Sequence, residues 1–214
     1  MPSPSKFLVI EGCNGVGKST IVDYLCTRVG ALSFHYPPEF VSFRRELRLD
    51  ECVEPLPRLT YYLAATMHLS DLVRAQLTRS HVICDRYLAS PLSLMIGESS
   101  IEEKQALEMT EPFQSYLRIP DLTLLLTAEH AVVSERIQAR SVKSGMLTPI
   151  ARRMVESKEF FQKREDACRR FATRLGPLVE LDTTNLLFDE MGDSAWSLVA
   201  QKLDWDLAKT TAGK

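Results

Sequence analysis

One stretch near the N-terminus constrains the fold more than any other. Phe7-Leu-Val-Ile-Glu-Gly-Cys-Asn-Gly-Val-Gly-Lys-Ser-Thr20 runs from a short apolar segment into a glycine-rich loop, with a helix opening at Lys18. The loop has the spacing G-x-x-x-x-G-K-[ST]. Gly12, Gly15 and Gly17 let the main chain bend tightly, so that its N–H groups approach an anion without a Cβ in the way. The following helix adds unpaired N–H groups and a positive dipole end. Lys18 can reach the outer phosphates of a polyphosphate, and Ser19 can offer its hydroxyl to Mg²⁺. The expected phosphate-binding set is Gly12, Asn14, Gly15, Val16, Gly17, Lys18, Ser19 and Thr20.

The rest of the chain alternates apolar strand candidates with amphipathic helices. Strands are expected over residues 6–11, 31–35, 81–87, 121–127 and 178–181. Ile21, Leu25 and Val29 give the first helix an apolar stripe that Gly30 can end. A short helix is expected over 40–49, a connector over 50–57 and a long helix over 58–79. Ser90-Pro91 reads as N-cap and first turn of a helix ending near Gly97, and Ser100-x-x-Glu103 as a capping box. Glu111-Pro-Phe opens one further turn. Helix is expected over 129–140. Thr148-Pro149 opens a single helix running to Gly176-Pro177, with Ile150, Met154, Phe161, Cys168, Phe171 and Leu175 on one face. A closing helix is expected over about 189–207. This alternation predicts a three-layer α/β domain, a parallel sheet with helices on both faces. Ligands then bind beyond the carboxyl ends of the strands, where the glycine-rich loop, Pro38-Glu39, Asp85-Arg86 and Asp182-Thr183 converge.

At 214 residues one domain spanning 1–214 is expected, with frayed tails at 1–5 and 208–214. The net charge of −2 gives no basic field for nucleic acid. No apolar run approaches the ~20 residues of a membrane span, and the N-terminus lacks the apolar centre of a signal peptide. Five scattered cysteines without C-x-x-C spacing fit reduced thiols in a cytoplasm.

Two further groups carry chemistry. Asp85, at the end of a buried strand, can hold Mg²⁺ through its water shell, and Arg86 can clamp an acceptor phosphate. Arg136, Arg140, Arg152 and Arg153 flank the polar stretch Ser141–Thr148. A hinged loop with such neighbours suits a lid, here about 141–150, that excludes water and places guanidinium groups on a transferring phosphoryl.

With these pieces in order, residues 6–185 resemble the thymidylate kinase family of nucleoside monophosphate kinases. The resemblance rests on the glycine-rich loop, Asp85-Arg86-Tyr87 followed by Ser90, and Arg136-Ile-Gln-Ala-Arg140. Arg152-x-x-x-Glu156-x-x-x-Phe160-Phe161 and Leu181-Asp182-Thr-Thr complete it. It implies ATP as donor, Mg²⁺ and in-line transfer to a small-molecule acceptor, with a homodimer left open. Lys18 and Arg140, helped by Arg152, would stabilise the moving charge, and Arg136 with Thr183-Thr184 would lie by the adenine. Tyr87 falls on the acceptor side.

The acceptor half departs from the family pattern. Asn14 stands where the family has an acidic residue against the acceptor sugar. Leu63 and Met67 fall where the family carries Phe-x-x-x-Arg in the long helix, and Met95 where a polar residue reads the base. Phe40 replaces an acceptor-phosphate arginine, a role open to Arg44 or Arg45. An apolar base site of this kind leaves thymine unread, so an acceptor other than thymidylate is expected. Glu39 offers an alternative, as base for a nucleoside hydroxyl in the manner of deoxynucleoside kinases. A nucleotide-binding regulator without transfer activity is the remaining reading.

Overall fold

Residues 4–37 and 54–205 are described by the computed structural model. The helix expected over 40–49 lies outside the described residues, as do Glu39, Phe40, Arg44 and Arg45. Five parallel strands form one sheet: β1 (Phe7–Gly12), β2 (Leu32–His35), β3 (Val82–Asp85), β4 (Leu122–Thr127) and β5 (Leu178–Asp182), in the order β2-β3-β1-β4-β5. Around it lie α1 (Lys18–Val29), α2 (Pro55–Leu77), α3 (Ala89–Gly97), α4 (Glu103–Gln114), α5 (His130–Ser144), α6 (Pro149–Glu156), α7 (Lys158–Leu175) and α8 (Phe188–Leu203). The expected three-layer parallel α/β architecture is therefore observed.

Strand periodicity explains why β1 is apolar from Phe7 to Ile10. Phe7 and Val9 face one core with Leu59 and Leu69 of α2, Leu92 of α3 and Phe171 of α7. Leu8 and Ile10 face the other core with Ile21 and Leu25 of α1, Val133 of α5 and Val199 of α8. A strand covered on both sides has no position left for a solvated residue. Glu11 shares the parity of Phe7 and Val9, so the chain buries a carboxylate on the α3 and α7 side.

Several local expectations are corrected. Pro55 and Pro57 belong to the first turn of α2 rather than to a connector, since early helix positions tolerate a missing N–H. Ser90 is not an N-cap: α3 begins at Ala89, and the Ser90 hydroxyl turns to the Glu11 carboxylate, 2.5 Å away. Ser100 forms no capping box, because its hydroxyl donates to the Met95 carbonyl. Pro112 lies inside α4 and opens no new turn. The helix expected from 149 to 175 is two helices, broken at Ser157, whose hydroxyl accepts from Phe160 N and starts α7. Thr148 caps α6 as expected, accepting from Ala151 N. Because α5 continues to Ser144, the segment between α5 and α6 shrinks to 145–148, with Gly145 in the left-handed region.

Candidate active site

The glycine-rich loop follows β1 directly. Gly12 has φ 135°, and a Cβ built on it would stand 2.4 Å from the Leu126 carbonyl oxygen of the neighbouring strand. Only glycine fits so close a main-chain approach. Gly17, at φ 95°, precedes α1 and leaves its first N–H groups open. Val16 is buried and contributes main chain alone. Asn14, Gly15, Gly17, Lys18, Ser19 and Thr20 line a cavity of about 1100 Å³ that reaches from β2 to α8.

Lys18 is buried, and its ammonium donates to the Cys13 carbonyl at 2.7 Å. Burial, followed by the charge of Arg86, lowers its pKa to about 7. Asp85 ends β3 beside it. The Ser19 hydroxyl donates to Asp85 Oδ2 at 3.3 Å, and His35 Nδ1 lies at the same distance from that oxygen. Burial alone would raise the Asp85 carboxyl; the hydrogen bond from His35 and the charges of Lys18 and Arg86 hold it at about 2. Its other oxygen, Oδ1, is buried without a hydrogen-bond partner among the described residues.

Arg86 adopts φ 77°, unusual for a residue with a Cβ. Its N–H still donates to the Ile10 carbonyl, extending the β3–β1 contact, while the side chain crosses to the loop. Nη1 donates to the Gly12 carbonyl at 3.0 Å and to Ser90 Oγ at 2.9 Å, and Nη2 to Asn14 Oδ1 at 2.7 Å. Glu11 then fixes the start of α3, where helix N–H groups lack partners. Its Oε1 accepts from Tyr87 N at 2.8 Å and Ser90 N at 3.3 Å. Burial raises the Glu11 carboxyl despite these donors.

At the far end, Arg136 donates to Thr183 Oγ1 and to the Thr183 and Leu186 carbonyls at 2.7–3.2 Å, and its guanidinium lies over the Phe188 ring at 5.9 Å. Thr183 is fully buried and ties Val16 to Thr127, so it holds the loop and does not line the cavity, whereas Thr184 does. Arg140 and Lys143 of α5 also line it. Arg152 is exposed on α6 and is not brought to the cavity, and Arg153 stacks on Phe160 at 4.5 Å.

The acceptor side differs from the sequence reading. Leu63 and Met95 are buried in the core, Met67 packs against it, and Tyr87 packs edge-on to Phe7. None of the four lines the cavity. Among the described residues, the cavity wall across from the loop includes Tyr36, Pro37, Tyr62, Ser90, Pro91 and Leu94. The Tyr36 hydroxyl donates to the Tyr62 carbonyl at 2.8 Å, fixing the two rings 6.3 Å apart. Sequence reasoning also missed Glu11, His35 and Arg164. Arg164 was visible as the one cation in the apolar stripe Phe161, Arg164, Cys168, Phe171, Leu175 at helical spacing.

A parallel sheet with this loop, a lysine and serine facing a strand-end aspartate, and a second half-cavity across from them define a P-loop phosphotransferase acting on nucleotides or nucleosides. The thymidylate kinase family model matches residues 10–189, and the chain belongs to that family. The thymidylate kinase of Chromohalobacter salexigens is 30% identical over 158 residues, covering 66% of this chain and 72% of that one. The probable thymidylate kinase of Methanococcus maripaludis is 21% identical over 202 residues, covering 93% and 97%. Among solved structures, Candida albicans thymidylate kinase, whose structure is described as revealing the origin of broad substrate specificity, superposes with a TM-score of 0.71. It is 18% identical, with 92% of each chain covered. The deoxyadenosine kinase of M. mycoides with bound dATP gives 0.61 at 18% identity, covering 92% of this chain and 98% of that one.

Proposed function

We propose that the chain transfers the γ-phosphoryl of ATP to a nucleoside monophosphate and is not confined to thymidylate. The observation that carries this reading is one cavity with two unlike halves. The loop half joins Lys18, Ser19, Asp85 and Arg86; the other is walled by Tyr36, Tyr62 and Leu94.

In this reading Lys18 leaves the Cys13 carbonyl and donates to the outer phosphates, with its proton held by their charge. The loop N–H groups and the start of α1 hold the inner phosphates. Ser19 Oγ and the unpartnered Asp85 Oδ1 fit a hydrated magnesium ion, whose chemistry is to neutralise charge on the transferring group. Arg136 and Thr184 border the adenine, and Arg140, with Lys143, faces the phosphates from α5. Arg152 reaches the transferring group only if the 141–150 segment folds inward as a lid over a single domain. Free, buried Cys13, Cys84 and Cys168 suit a reducing, cytoplasmic setting.

Specificity follows from the acceptor wall. Tyr62 and Tyr36 offer aromatic faces, and Pro91 and Leu94 apolar contact. Such surfaces hold any flat base and supply little direct hydrogen bonding to thymine alone. The test is ADP formation with Mg²⁺, ATP and a panel of nucleoside monophosphates and free nucleosides. Efficient use of several monophosphates is expected. Thymidylate used with an efficiency unmatched by every other acceptor refutes the broad-acceptor reading. Exclusive use of nucleosides favours a hydroxyl acceptor with Glu39 as base, and ADP formation with none of them favours a regulator.

A further inference from the structure

Arg164 is the buried cation that this scheme leaves without a task. It lies in the middle of α7, is 4% exposed and contributes to the cavity wall. Two of its donor atoms, Nε and Nη1, are buried without a hydrogen-bond partner among the described residues. A folded protein rarely leaves a buried guanidinium in that condition unless a ligand completes it.

The packing that brings it there is specific. Gly97, the last residue of α3, faces α7, where an added Cβ would stand 3.1 Å from Arg164 Cβ and 3.2 Å from the Phe160 ring. The missing side chain lets α7 close against α3, so the arginine passes beneath α3 toward the loop. Its charge acts there on Cys13, Arg86, Cys168 and Glu11. Glu11 does not pair with it, because that carboxylate already accepts from Tyr87 N, Ser90 N, Ser90 Oγ and Cys168 Sγ.

Arg86 sharpens the contrast. Both Nη1 protons and one Nη2 proton are committed to Gly12, Ser90 and Asn14, so this arginine chiefly positions the loop and α3. Arg164, in the same corner, makes no hydrogen bond to any described residue, so Nη2 is free to pair with either Nε or Nη1 as the two-pronged donor that matches a phosphate in bidentate fashion.

We infer that Arg164 is the specificity-determining contact for the phosphate of the acceptor, reaching it from α7. This inference rests on the monophosphate-kinase reading above and adds the residue that tells a nucleotide acceptor from a nucleoside.

The experiment compares the wild-type chain with Arg164→Gln and Arg164→Lys. Calorimetry in the presence of ADP measures binding of thymidine and deoxyadenosine monophosphates and of their parent nucleosides. ADP formation gives KM for each acceptor and for ATP, and a thermal melt reports folding. The wild type is expected to bind each monophosphate about 30-fold or more tighter than its nucleoside, and Arg164→Gln to lose about tenfold or more of that margin. KM for ATP should stay within about twofold, Arg164→Lys should retain part of the margin, and Tm should hold or rise when an unpaired buried charge is removed. An undiminished margin in Arg164→Gln overturns the inference and leaves the proposed function standing. A wild type that binds and phosphorylates nucleosides but not monophosphates overturns both. A lowered Tm with both KM values raised together identifies Arg164 as a brace and also overturns it.

Discussion

The state of Lys18 makes a quantitative prediction about nucleotide binding. Without a polyanion, its ammonium is buried against the Cys13 carbonyl and its pKa is lowered to about 7. A bound triphosphate places negative charge beside it and restores the protonated form well above pH 8. The complex therefore binds more protons than the free protein above pH 7, and affinity falls as pH rises through that range. At pH 8 the free lysine is about nine-tenths neutral, so binding should take up about 0.9 proton, against about 0.1 at pH 6. The second phosphate ionisation, near pH 6, is complete by pH 8 and adds little there. Calorimetric titration with an unreactive ATP analogue and Mg²⁺, in buffers of different ionisation enthalpy, reads this number as a slope. Lys18→Met should remove the uptake at pH 8. A slope near zero in the wild type, or the same slope in Lys18→Met, refutes the assignment.

Four other outcomes follow from the geometry. Gly12→Ala drives a Cβ to 2.4 Å from the Leu126 carbonyl at φ 135°, and should cost at least about 1–3 kcal/mol. A drop in Tm of more than about 2 °C together with lost transfer is expected, and an unchanged melt contradicts the packing. Asp85→Asn removes the charge opposite Ser19 and should raise the Mg²⁺ concentration for half-maximal rate about tenfold or more; an unshifted Mg²⁺ curve excludes Asp85 from the metal site. The same carboxylate, lowered to about 2, stabilises the wild type above its ordinary value of 3.8, and that contribution disappears as pH falls toward 2. Amide exchange over 141–150 should slow when a bisubstrate analogue is bound, and equal exchange with and without it rules out the lid.

The loop and its surroundings were legible because their chemistry is local. A glycine at 12 or 17 is required by backbone geometry, whatever packs around it later. Gly30 and Thr148 end and begin helices through their own backbone and side chain, so both were placed correctly. Ser90 was misplaced because its partner, Glu11, lies 79 residues away, and no local pattern reveals that a buried carboxylate will receive the hydroxyl. The acceptor wall failed for a rotational reason. Successive residues of a helix are separated by about 100°, so Tyr62, itself part of the core, also borders the cavity, while Leu63, one position later, does not. The same holds in α3, where Leu94 lines the cavity and Met95 is enclosed.

The charge inventory around the loop explains why this corner is organised for an anion. Among the described residues, Lys18, Arg86 and Arg164 face two buried carboxylates, Glu11 and Asp85, with His35 at the rim. Burial raises the Glu11 carboxyl and lowers the Lys18 ammonium, so both groups are drawn toward their neutral forms in the free protein. Arg86 bonds three oxygen acceptors; among the described residues Arg164 has no such set. An anionic ligand reverses the lowering of Lys18 and favours all three cations, while it pushes the Glu11 carboxyl further up. Stability withheld from the free fold is thereby returned on binding, and the two helices that flank the corner, α3 and α7, are held by the ligand as well as by each other. A neutral acceptor cannot complete that balance, which is the physical reason to look for a phosphate on the molecule that enters beside Arg164.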